Sequence, residues 1–244
     1  MNSEEKCYAV TGAFEGKGYV NITGNFDGMG LSFGFIQWNF GMGSLQPLLM
    51  TMYENGPVTF KRCCTVEVDG EVKDLSGYLV SVCRDMSNRE AVEWVSQRQT
   101  NSGGRWRLLP HWQKVFENLG REPGFQAIQR KAAGEYMERA RGYVRTLGFR
   151  TERALALMFD VCVQNGSIKK SAMDAYRRAL AANPGAGERQ RLAMVAEAVA
   201  EASRPQFVQD VRSRKMCIVN GRGVVHGKSF DLAGAYGLGD GPIV

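Results

Sequence analysis

Residues 11–49 read TGAFEGKGYVNITGNFDGMGLSFGFIQWNFGMGSLQPLL, a segment that combines closely spaced glycines with only three charged residues. Its glycines stand at positions 12, 16, 18, 24, 28, 30, 34, 41 and 43. Glycine permits tight turns and lets another chain approach the backbone closely. We therefore expect this segment to form the wall of a cleft against which a polymer lies.

The only carboxylates in this segment are Glu15 and Asp27. Glu15 follows Phe14 in a largely apolar setting, where desolvation is expected to raise its pKa and keep it protonated near neutral pH, as a general acid requires. Asp27 is expected to stay ionised and to activate water or stabilise an oxocarbenium-like transition state. The competing interpretations are a solvated hairpin carboxylate for Glu15 and a turn-forming residue for Asp27.

Four further residues of the segment are predicted to bind substrate: Ser32, Gln37, Trp38 and Asn39. Gln37 and Asn39 alternate along the chain, so their amides are expected to orient a water molecule or bind sugar hydroxyls. Hydrogen bonds to the backbone are the alternative for both amides. Trp38 offers an aromatic face for stacking on a sugar, and packing in the core is its alternative.

Composition limits the function classes. The chain has 244 residues, a formal net charge of +6 and a pI near 9.0, which favours an anionic partner. No helix-turn-helix, zinc or RNA-recognition signature is present, so nucleic acid is not the expected partner. The six cysteines lack metal-like spacing and are expected to be reduced, and two histidines are too few for a histidine-rich metal site.

Hydropathy argues against a membrane anchor. No stretch approaches the roughly 18 apolar residues that a membrane span needs, and the polar start of the chain does not resemble a secretory signal. A substrate in the periplasm or cell wall would therefore require delivery of the protein by a secretion system, a phage or lysis.

The pattern changes near Met86, where the glycine-rich part gives way to capped amphipathic segments. Ser87 and Glu90 predict a capping box, and Thr151 is predicted to cap a helix over residues 153–163 that is apolar on every side except at Asp160. Such a helix is expected in the middle of the protein. Further helices are predicted at 110–120, 125–147, 169–182 and 187–203.

The intervening stretches are less regular. Residues 58–60 and 65–68, with a turn at 69–70, predict a hairpin, while 75–83 fits a strand or a helix. The glycine-containing tail from Cys217 onward is predicted to be rich in turns and to lie over the surface.

Asp160 interrupts the apolar helix, and Gln164 lies one turn later on the same face. A buried carboxylate is costly unless it is paired or hydrogen-bonded. The leading interpretation of Asp160 is a structural link to backbone amides or to an arginine of the glycine-rich lobe, and substrate contact by Asp160 and Gln164 is the alternative. His226 is predicted to be a packing histidine rather than a substrate ligand.

The glycine-rich segment resembles the active-site segment of goose-type lysozymes, in which a glutamate and an aspartate precede Gly-x-x-Phe-Gly-x-x-Gln-x-(Asp/Asn). The matching positions here are Glu15, Asp27, Gly30-Leu31-Ser32-Phe33-Gly34, Gln37 and Asn39. Residues 27–36 and 41–45 are also similar to bacterial chitosanases, in which the aspartate preceding the first of these glycines is the base. The helical part, with residues 160–166, resembles lysozyme domains of antibacterial effectors and phage lysins.

These resemblances imply a lysozyme-like fold of the mainly α (α+β) class. The chain is expected to form a single catalytic domain, 1–244, with a glycine-rich active-site lobe, 1–85, packed on a helical lobe, 86–244, that contains the buried central helix. The two departures from the families are Asn39, where goose-type enzymes tend to carry an aspartate, and a spacing from Glu15 to Asp27 that is shorter than in chitosanases. The first moves the base to Asp27, and the second favours a cell-wall substrate.

The function implied is that of a muramidase, which cleaves the β-1,4 bond between N-acetylmuramic acid and N-acetylglucosamine in peptidoglycan, with inversion and without a metal or organic cofactor. An immunity protein or a delivery machinery is the further partner that the resemblance to effectors implies. The alternatives are a lytic transglycosylase, a chitosanase and, from another class, an inactive glycan-binding or structural module of a phage or secretion system.

Overall fold

The structure, a computed structural model, describes residues 1–16 and 18–244. Its helices are α1 Ser3–Glu15, α2 Gln46–Asn55, α3 Pro57–Cys64, α4 Ser76–Asp85, α5 Asn88–Ser96, α6 Pro110–Arg121, α7 Pro123–Leu147, α8 Glu152–Asn165, α9 Lys170–Ala182, α10 Glu188–Glu201, α11 Val208–Asn220 and α12 Leu232–Tyr236. In the described part of the chain, none of these helices has the length and apolar character needed to cross a membrane.

The strands are short and antiparallel: β1 Ile22–Thr23, β2 Ser32–Phe33, β3 Trp38–Asn39, β4 Thr65–Val68, β5 Glu71–Asp74, β6 Gln99–Ser102, β7 Arg105–Leu108, β8 Arg222–Val225 and β9 Lys228–Asp231. Among the described residues they form one three-stranded sheet, β1-β2-β3, and the hairpins β4-β5, β6-β7 and β8-β9. This mainly helical structure with small sheets confirms the predicted mainly α (α+β) class.

The described chain divides into two compact units. Unit 1 comprises Met1–Phe14 and Gly134–Val244, and unit 2 comprises Glu15–Ala133. These limits differ from those of the predicted lobes, 1–85 and 86–244. That the chain acts as a single catalytic domain stays a prediction.

Unit 1 is built on α8, the predicted buried helix, whose residues Glu152 to Cys162 are all buried. Thr151 caps its first turn as predicted, because its hydroxyl accepts a hydrogen bond from the Ala154 amide at 3.2 Å. Helices α10 and α11 pack on α8, and α9 packs on α10. A helix that is apolar on every side is stable only when other elements cover all of its sides and exclude water.

Unit 2 has a core of aromatic side chains from its sheet and helices. Phe33 of β2 is fully buried and lies edge-on to Phe116 of α6 and parallel to Phe125 of α7. The predicted capping box at the start of α5 is confirmed, since Ser87 and Glu90 bond each other's backbone amides. Unit 2 also contains the predicted turn 69–70, between β4 and β5.

Two local predictions differ from the structure, and one open alternative is resolved by it. Residues 58–60 lie in helix α3 rather than in a strand, because Pro57 starts a helix whose residues Phe60, Cys63 and Cys64 are buried on one face. Residues 76–85 form α4, so the helical alternative holds there. The tail from Cys217 is more ordered than predicted, because α11 continues to Asn220 and is followed by the β8-β9 hairpin and α12.

Helix α1 was not signalled by the polar start of the chain, yet its sequence contains the reason for it. Glu4 and Glu5 lie in the first turn, where they interact favourably with the helix dipole. Cys7, Val10 and Phe14 recur at intervals of three and four residues and are buried. Glu15 is therefore the last residue of a helix whose apolar side chains are packed in the core.

All six cysteines are free thiols in the structure, consistent with the expected reduced state. Five are buried, and Cys83 is partly exposed. Burial raises the pKa of the Cys162 and Cys217 thiols to about 11. These groups are therefore protonated and unreactive near neutral pH.

Candidate active site

The three-stranded sheet of unit 2 has one polar row and one apolar row. Thr23, Ser32 and Asn39 face one another across the three strands, so their side chains share one face of the sheet. The neighbouring row, Ile22, Phe33 and Trp38, points to the other face, where Phe33 and Trp38 are buried. The sheet is thus a small platform with a polar surface over an aromatic core.

Glu15 lies at one end of this platform. It is the last residue of α1 and is partly exposed, and its backbone oxygen accepts a hydrogen bond from Asn21 Nδ2 at 2.5 Å. The backbone oxygen of Asn21 in turn accepts from the Gly34 amide at 2.9 Å and from Gln37 Nε2 at 3.3 Å. These contacts fix the backbone of Glu15 to the end of the sheet where β2 turns into β3.

Gly34 is required at this turn. Its φ of +87° lies in the left-handed region, and a Cβ atom here would meet Gln129 Oε1 at 2.4 Å. That oxygen instead accepts a hydrogen bond from the Phe35 amide at 3.2 Å. The sequence pattern Gly-Phe at 34–35 therefore reflects a tight turn that supports the Glu15 end of the platform.

Asp27 lies beyond the opposite end of the platform, in the loop 24–31 that joins β1 to β2. Its side chain is exposed, and Oδ1 accepts a hydrogen bond from the Met29 amide at 3.1 Å. Asn25 secures the base of the loop, because its Oδ1 accepts from the Gly30 amide at 2.8 Å and its Nδ2 donates to Ser96 Oγ at 2.9 Å. The loop is held at its base and presents the carboxylate to solvent.

The sheet brings Ser32 and Asn39 into one row, whereas Trp38 points to the other face and Gln37 lies in the turn between β2 and β3. Strand β1 begins next to Asn21, which bonds the Glu15 backbone, and contributes Ile22 to the apolar row and Thr23 to the polar row. It then continues into the loop that carries Asp27. The polar row with Ser32 and Asn39 lies between the two carboxylate-bearing ends. Within this row Ser32 is buried, at 7% exposure, and Thr23 and Asn39 are partly exposed. The Glu15 backbone lies at one end of the row and the Asp27 carboxylate at the other.

The two predicted amide residues are already engaged in local contacts. Gln37 adopts a φ of +59°; its Oε1 accepts from Thr23 Oγ1 at 2.6 Å, and its Nε2 donates to the Gly34 backbone oxygen at 2.8 Å. Asn39 Oδ1 accepts from the Met42 amide at 2.8 Å. Both amides thus shape the turns of the platform, as the backbone-bonding alternative states, and Trp38, 5% exposed, belongs to the core.

Asp160 lies in unit 1 and is fully buried. Arg214 forms an ion pair with Asp160 Oδ1 at 2.7 Å, Lys215 Nζ lies 2.5 Å from Oδ2, and Thr11 Oγ1 donates to Oδ1 at 3.3 Å. Burial alone would raise the pKa of Asp160, but the charges of Arg214 and Lys215 and their hydrogen bonds lower it to about 2. The carboxylate has no exposed surface to offer a substrate.

The predicted structural link of Asp160 exists, with different partners. The sequence suggested an arginine of the glycine-rich lobe, whereas Arg214 and Lys215 both come from α11. Only Thr11 comes from the glycine-rich segment. The two consecutive cations were overlooked because they lie in the polar-looking run Arg212-Ser213-Arg214-Lys215, in which nothing marks the last two as buried.

Gln164 extends this cluster toward the surface of unit 1. Its Oε1 accepts from Lys215 Nζ at 2.6 Å, and its Nε2 donates to Asp210 Oδ2 at 3.1 Å. Asp210 Oδ1 lies 2.7 Å from His226 Nε2, and His226 Nδ1 lies 3.2 Å from the Phe14 backbone oxygen. Gln164 is thus a link in a polar chain that ends on the residue before Glu15, and His226 is a hydrogen-bonded surface residue at a turn.

Comparison with solved structures gives matches over nearly the whole chain. A native chitosanase from Bacillus subtilis superposes with a TM-score of 0.61 at 15% identity, covering 95% of this chain and 96% of that one. A GH46 chitosanase from Gynuella sunshinyii in complex with chitotetraose gives 0.60 at 12% identity, covering 94% and 96%. A third chitosanase, in a co-crystal with substrate, gives 0.58 at 17% identity, covering 93% and 95%.

This chain has the fold of these chitosanases. The match confirms the predicted lysozyme-like, mainly α fold, to which the resemblance in residues 27–45 pointed. No protein-family model matches the sequence, and no curated protein matches it. At 12 to 17% identity the likeness concerns the fold, so the chemistry must be argued from the residues of this chain.

Proposed function

We propose that this protein is a glycoside hydrolase that cleaves β-1,4-linked amino-sugar glycans. The observation that carries the proposal is the platform of unit 2, with Glu15 and Asp27 at its opposite ends and a polar row between them, in a chain whose fold matches chitosanases over at least 93% of its length. Two carboxylates flanking a glycan are the usual machinery of glycosidic bond hydrolysis.

In this proposal Glu15 protonates the leaving oxygen, and Asp27 activates a water molecule on the opposite face of the sugar ring. The tether from Asn21 to the Glu15 backbone limits the movement of the acid, which matters because proton transfer needs hydrogen-bond reach. Asn39, which is partly exposed on the polar row, binds the water or a sugar hydroxyl in this proposal, whereas Ser32 is buried and supports the row. This assignment of acid and base predicts inversion, which requires the two carboxyl groups to lie about 6.5–9.5 Å apart so that a water molecule fits between them and the sugar.

Peptidoglycan is the first candidate substrate, cut between N-acetylmuramic acid and N-acetylglucosamine. The support is the resemblance of residues 30–39 to goose-type lysozymes together with the net charge of +6, which suits an anionic wall polymer. If peptidoglycan is the substrate, we propose that the protein acts in the periplasm or cell wall. It would be delivered there by a secretion system, a phage or lysis, and an immunity protein would be its partner.

Chitosan is the second candidate, favoured by the comparison structures, which are chitosanases.

A lytic transglycosylase would use the same acid without a base, so in that case Asp27→Asn would retain activity and release 1,6-anhydro products. An inactive glycan-binding module would show no turnover at all.

One experiment separates these functions. The parent protein, Glu15→Gln and Asp27→Asn are incubated with purified peptidoglycan and with chitosan, and the new sugar ends are identified by mass spectrometry. We expect reducing muramic acid ends from the parent and none from Glu15→Gln, whose amide cannot donate a proton. Faster cleavage of chitosan would select the second candidate, and equal product from parent and Glu15→Gln would exclude this site.

A further inference from the structure

The β6-β7 hairpin of unit 2 has two different faces. Its register pairs Gln99 with Leu108, Thr100 with Arg107, Asn101 with Trp106 and Ser102 with Arg105, around a Gly103-Gly104 turn in which both φ values are positive. Because opposite residues share a face, Thr100, Ser102, Arg105 and Arg107 form one face, here named the arginine face. All four of these side chains are exposed.

The other face anchors the hairpin to the loop that carries Asp27. Gln99 Oε1 accepts from the Asn25 amide at 3.0 Å, and Gln99 Nε2 donates to the Gly30 backbone oxygen at 2.8 Å. At Gly24 an added Cβ would come within 2.6 Å of Trp106 Cβ, so the hairpin packs directly on the end of β1. The arginine face is therefore held in a fixed place beside the proposed site.

The arginine face carries charge that the protein does not neutralise. From residue 94 to residue 116 the sequence contains no Asp or Glu. Among residues 1–16 and 18–244, no carboxylate lies within 4.0 Å of the Arg105 or Arg107 guanidinium. Two other exposed arginines of the same unit have such partners, since Arg62 pairs with Glu122 and Arg89 with Glu93.

The surface around these arginines is concave. A pocket of about 500 Å³ is lined by Thr100, Ser102, Gly103, Arg105 and Arg107. Arg107 also lines a second pocket, of about 180 Å³, together with Ile22 and Gly24 of the β1 edge and with Asn21, the residue that holds the Glu15 backbone. The arginine face thus lies beside the β1 edge of the platform.

We infer that the arginine face is a binding subsite for the carboxylate groups of an acidic amino-sugar glycan. A guanidinium binds a carboxylate through two parallel hydrogen bonds, and the hydroxyls of Thr100 and Ser102 supply further donors. The same charges repel the ammonium groups of chitosan. This inference rests on the proposed function, and within it the subsite selects an acidic, carboxylate-bearing glycan over a cationic one.

The test measures binding instead of turnover. Glu15→Gln protein, which is not expected to cleave, is sedimented with peptidoglycan sacculi freed of teichoic acid and with the same sacculi after amidation of their carboxyl groups. Adding Arg105→Gln and Arg107→Gln should weaken binding to native sacculi about tenfold, as expected for the loss of charge-assisted hydrogen bonds. Amidated sacculi should bind both proteins equally weakly.

Two further variants control the result. Arg62→Gln with Arg89→Gln removes the same net charge from arginines that already have carboxylate partners, and it should leave binding unchanged. Arg105→Lys with Arg107→Lys keeps the charge without the two-pronged geometry and should restore only part of the affinity. Melting curves of all variants should coincide with that of the parent, since these side chains are exposed.

Unchanged binding in the Arg105/Arg107 variant, an equal loss on amidated sacculi, or tighter binding to duplex DNA than to sacculi would each overturn the inference. The last result would assign the face to nucleic acid. Failure of the proposed function would appear differently, as absence of cleavage of any glycan by the parent protein, and would leave this binding measurement intact.

Discussion

Two aspartates of this molecule, Asp160 and Asp27, have opposite surroundings. Asp160 is fully buried, and both of its oxygens are bonded to Arg214, Lys215 or Thr11. Asp27 is exposed, and one of its oxygens accepts a single backbone amide hydrogen bond. The difference teaches that a carboxylate isolated in an apolar helix is here part of the packing, whereas one in a glycine-rich loop remains available to water and ligands.

The buried cluster and the exposed platform should therefore fail in different ways when mutated. Loss of a group in the cluster removes a counter-charge from the interior of unit 1, which lowers the free energy of unfolding. Loss of a group on the platform leaves the packing intact and removes a chemical step.

The largest effect is expected for Glu15→Gln, which should reduce glycan cleavage by about 10²- to 10⁴-fold, the range attributed to general acid catalysis. The amide has the size of the carboxyl group but cannot give up a proton. The variant should keep the fold of the parent, because the amide matches the carboxyl group in size and the tether from Asn21 bonds the Glu15 backbone oxygen. A parallel loss of stability and activity would instead make Glu15 a structural residue.

The next largest effect is expected for Asp160→Ala, which should lower the free energy of unfolding by about 3–5 kcal/mol, because two buried cations, Arg214 and Lys215, would both lose the Asp160 carboxylate. Chemical denaturation measures the change. Asp174→Ala is the matched control, since Asp174 forms only an exposed pair with Arg177 on α9, and it should change stability by less than about 0.5 kcal/mol.

A compensating variant sharpens this comparison. Replacing Asp160, Arg214 and Lys215 together by Leu, Met and Met removes the charges as well as their partner. It should recover part of the lost stability, since apolar side chains of similar volume can substitute for a buried ion cluster. If Asp160→Ala melts like the parent but has lost turnover, Asp160 belongs to the catalytic machinery after all.

Much of the fold follows from local patterns in the sequence. The capping box of Ser87 and Glu90 and the Thr151 cap mark helix starts through short-range chemistry, and the apolar run of α8 requires burial wherever it lies. The prediction of a strand at 58–60 was wrong because its local pattern was weak. Alternation over three residues is too short to outweigh Pro57 at a helix start.

The candidate site was less accessible to sequence reasoning. Glu15 and Asp27 could be selected because they are the only carboxylates in the glycine-rich segment. Asn21 and Thr23 were missed, although the structure bonds the first to the Glu15 backbone and the second to Gln37. Their roles depend on the register of two-residue strands, which a sequence pattern of period two cannot fix over so short a length.

The stability of the protein in acid should depend on Asp160. Its pKa lies near 2 in the folded protein, below its value in the unfolded chain, so the unfolded state binds a proton first as the pH falls. The stabilisation is fully present above about pH 4 and is lost as the pH drops through about 2, with a slope of up to about 1.4 kcal/mol per pH unit.

Melting temperatures of the parent and of Asp160→Asn between pH 6 and pH 2 would check this dependence. The melting temperature of the variant should be lower than that of the parent at pH 6. It should fall less steeply toward pH 2, because the variant lacks the one proton that Asp160 takes up on unfolding. Identical slopes would mean that other carboxylates govern the acid transition, because Asp160 would then titrate alike in the folded and unfolded states.

The smallest effect is expected for Asn39→Asp, which introduces the aspartate that goose-type lysozymes tend to have at this position. Asn39 uses Oδ1 to accept the Met42 amide at 2.8 Å, and a carboxylate oxygen can accept the same hydrogen bond. Stability should therefore change by less than about 0.5 kcal/mol. If Asp27 is the base, turnover should change by no more than a few-fold, since a second carboxylate on the polar row adds no required step. The decisive measurement is turnover of Asn39→Asp combined with Asp27→Asn: an inactive double variant supports Asp27, whereas recovery of activity would show that the base belongs at position 39 and that the exposed loop carries a different role.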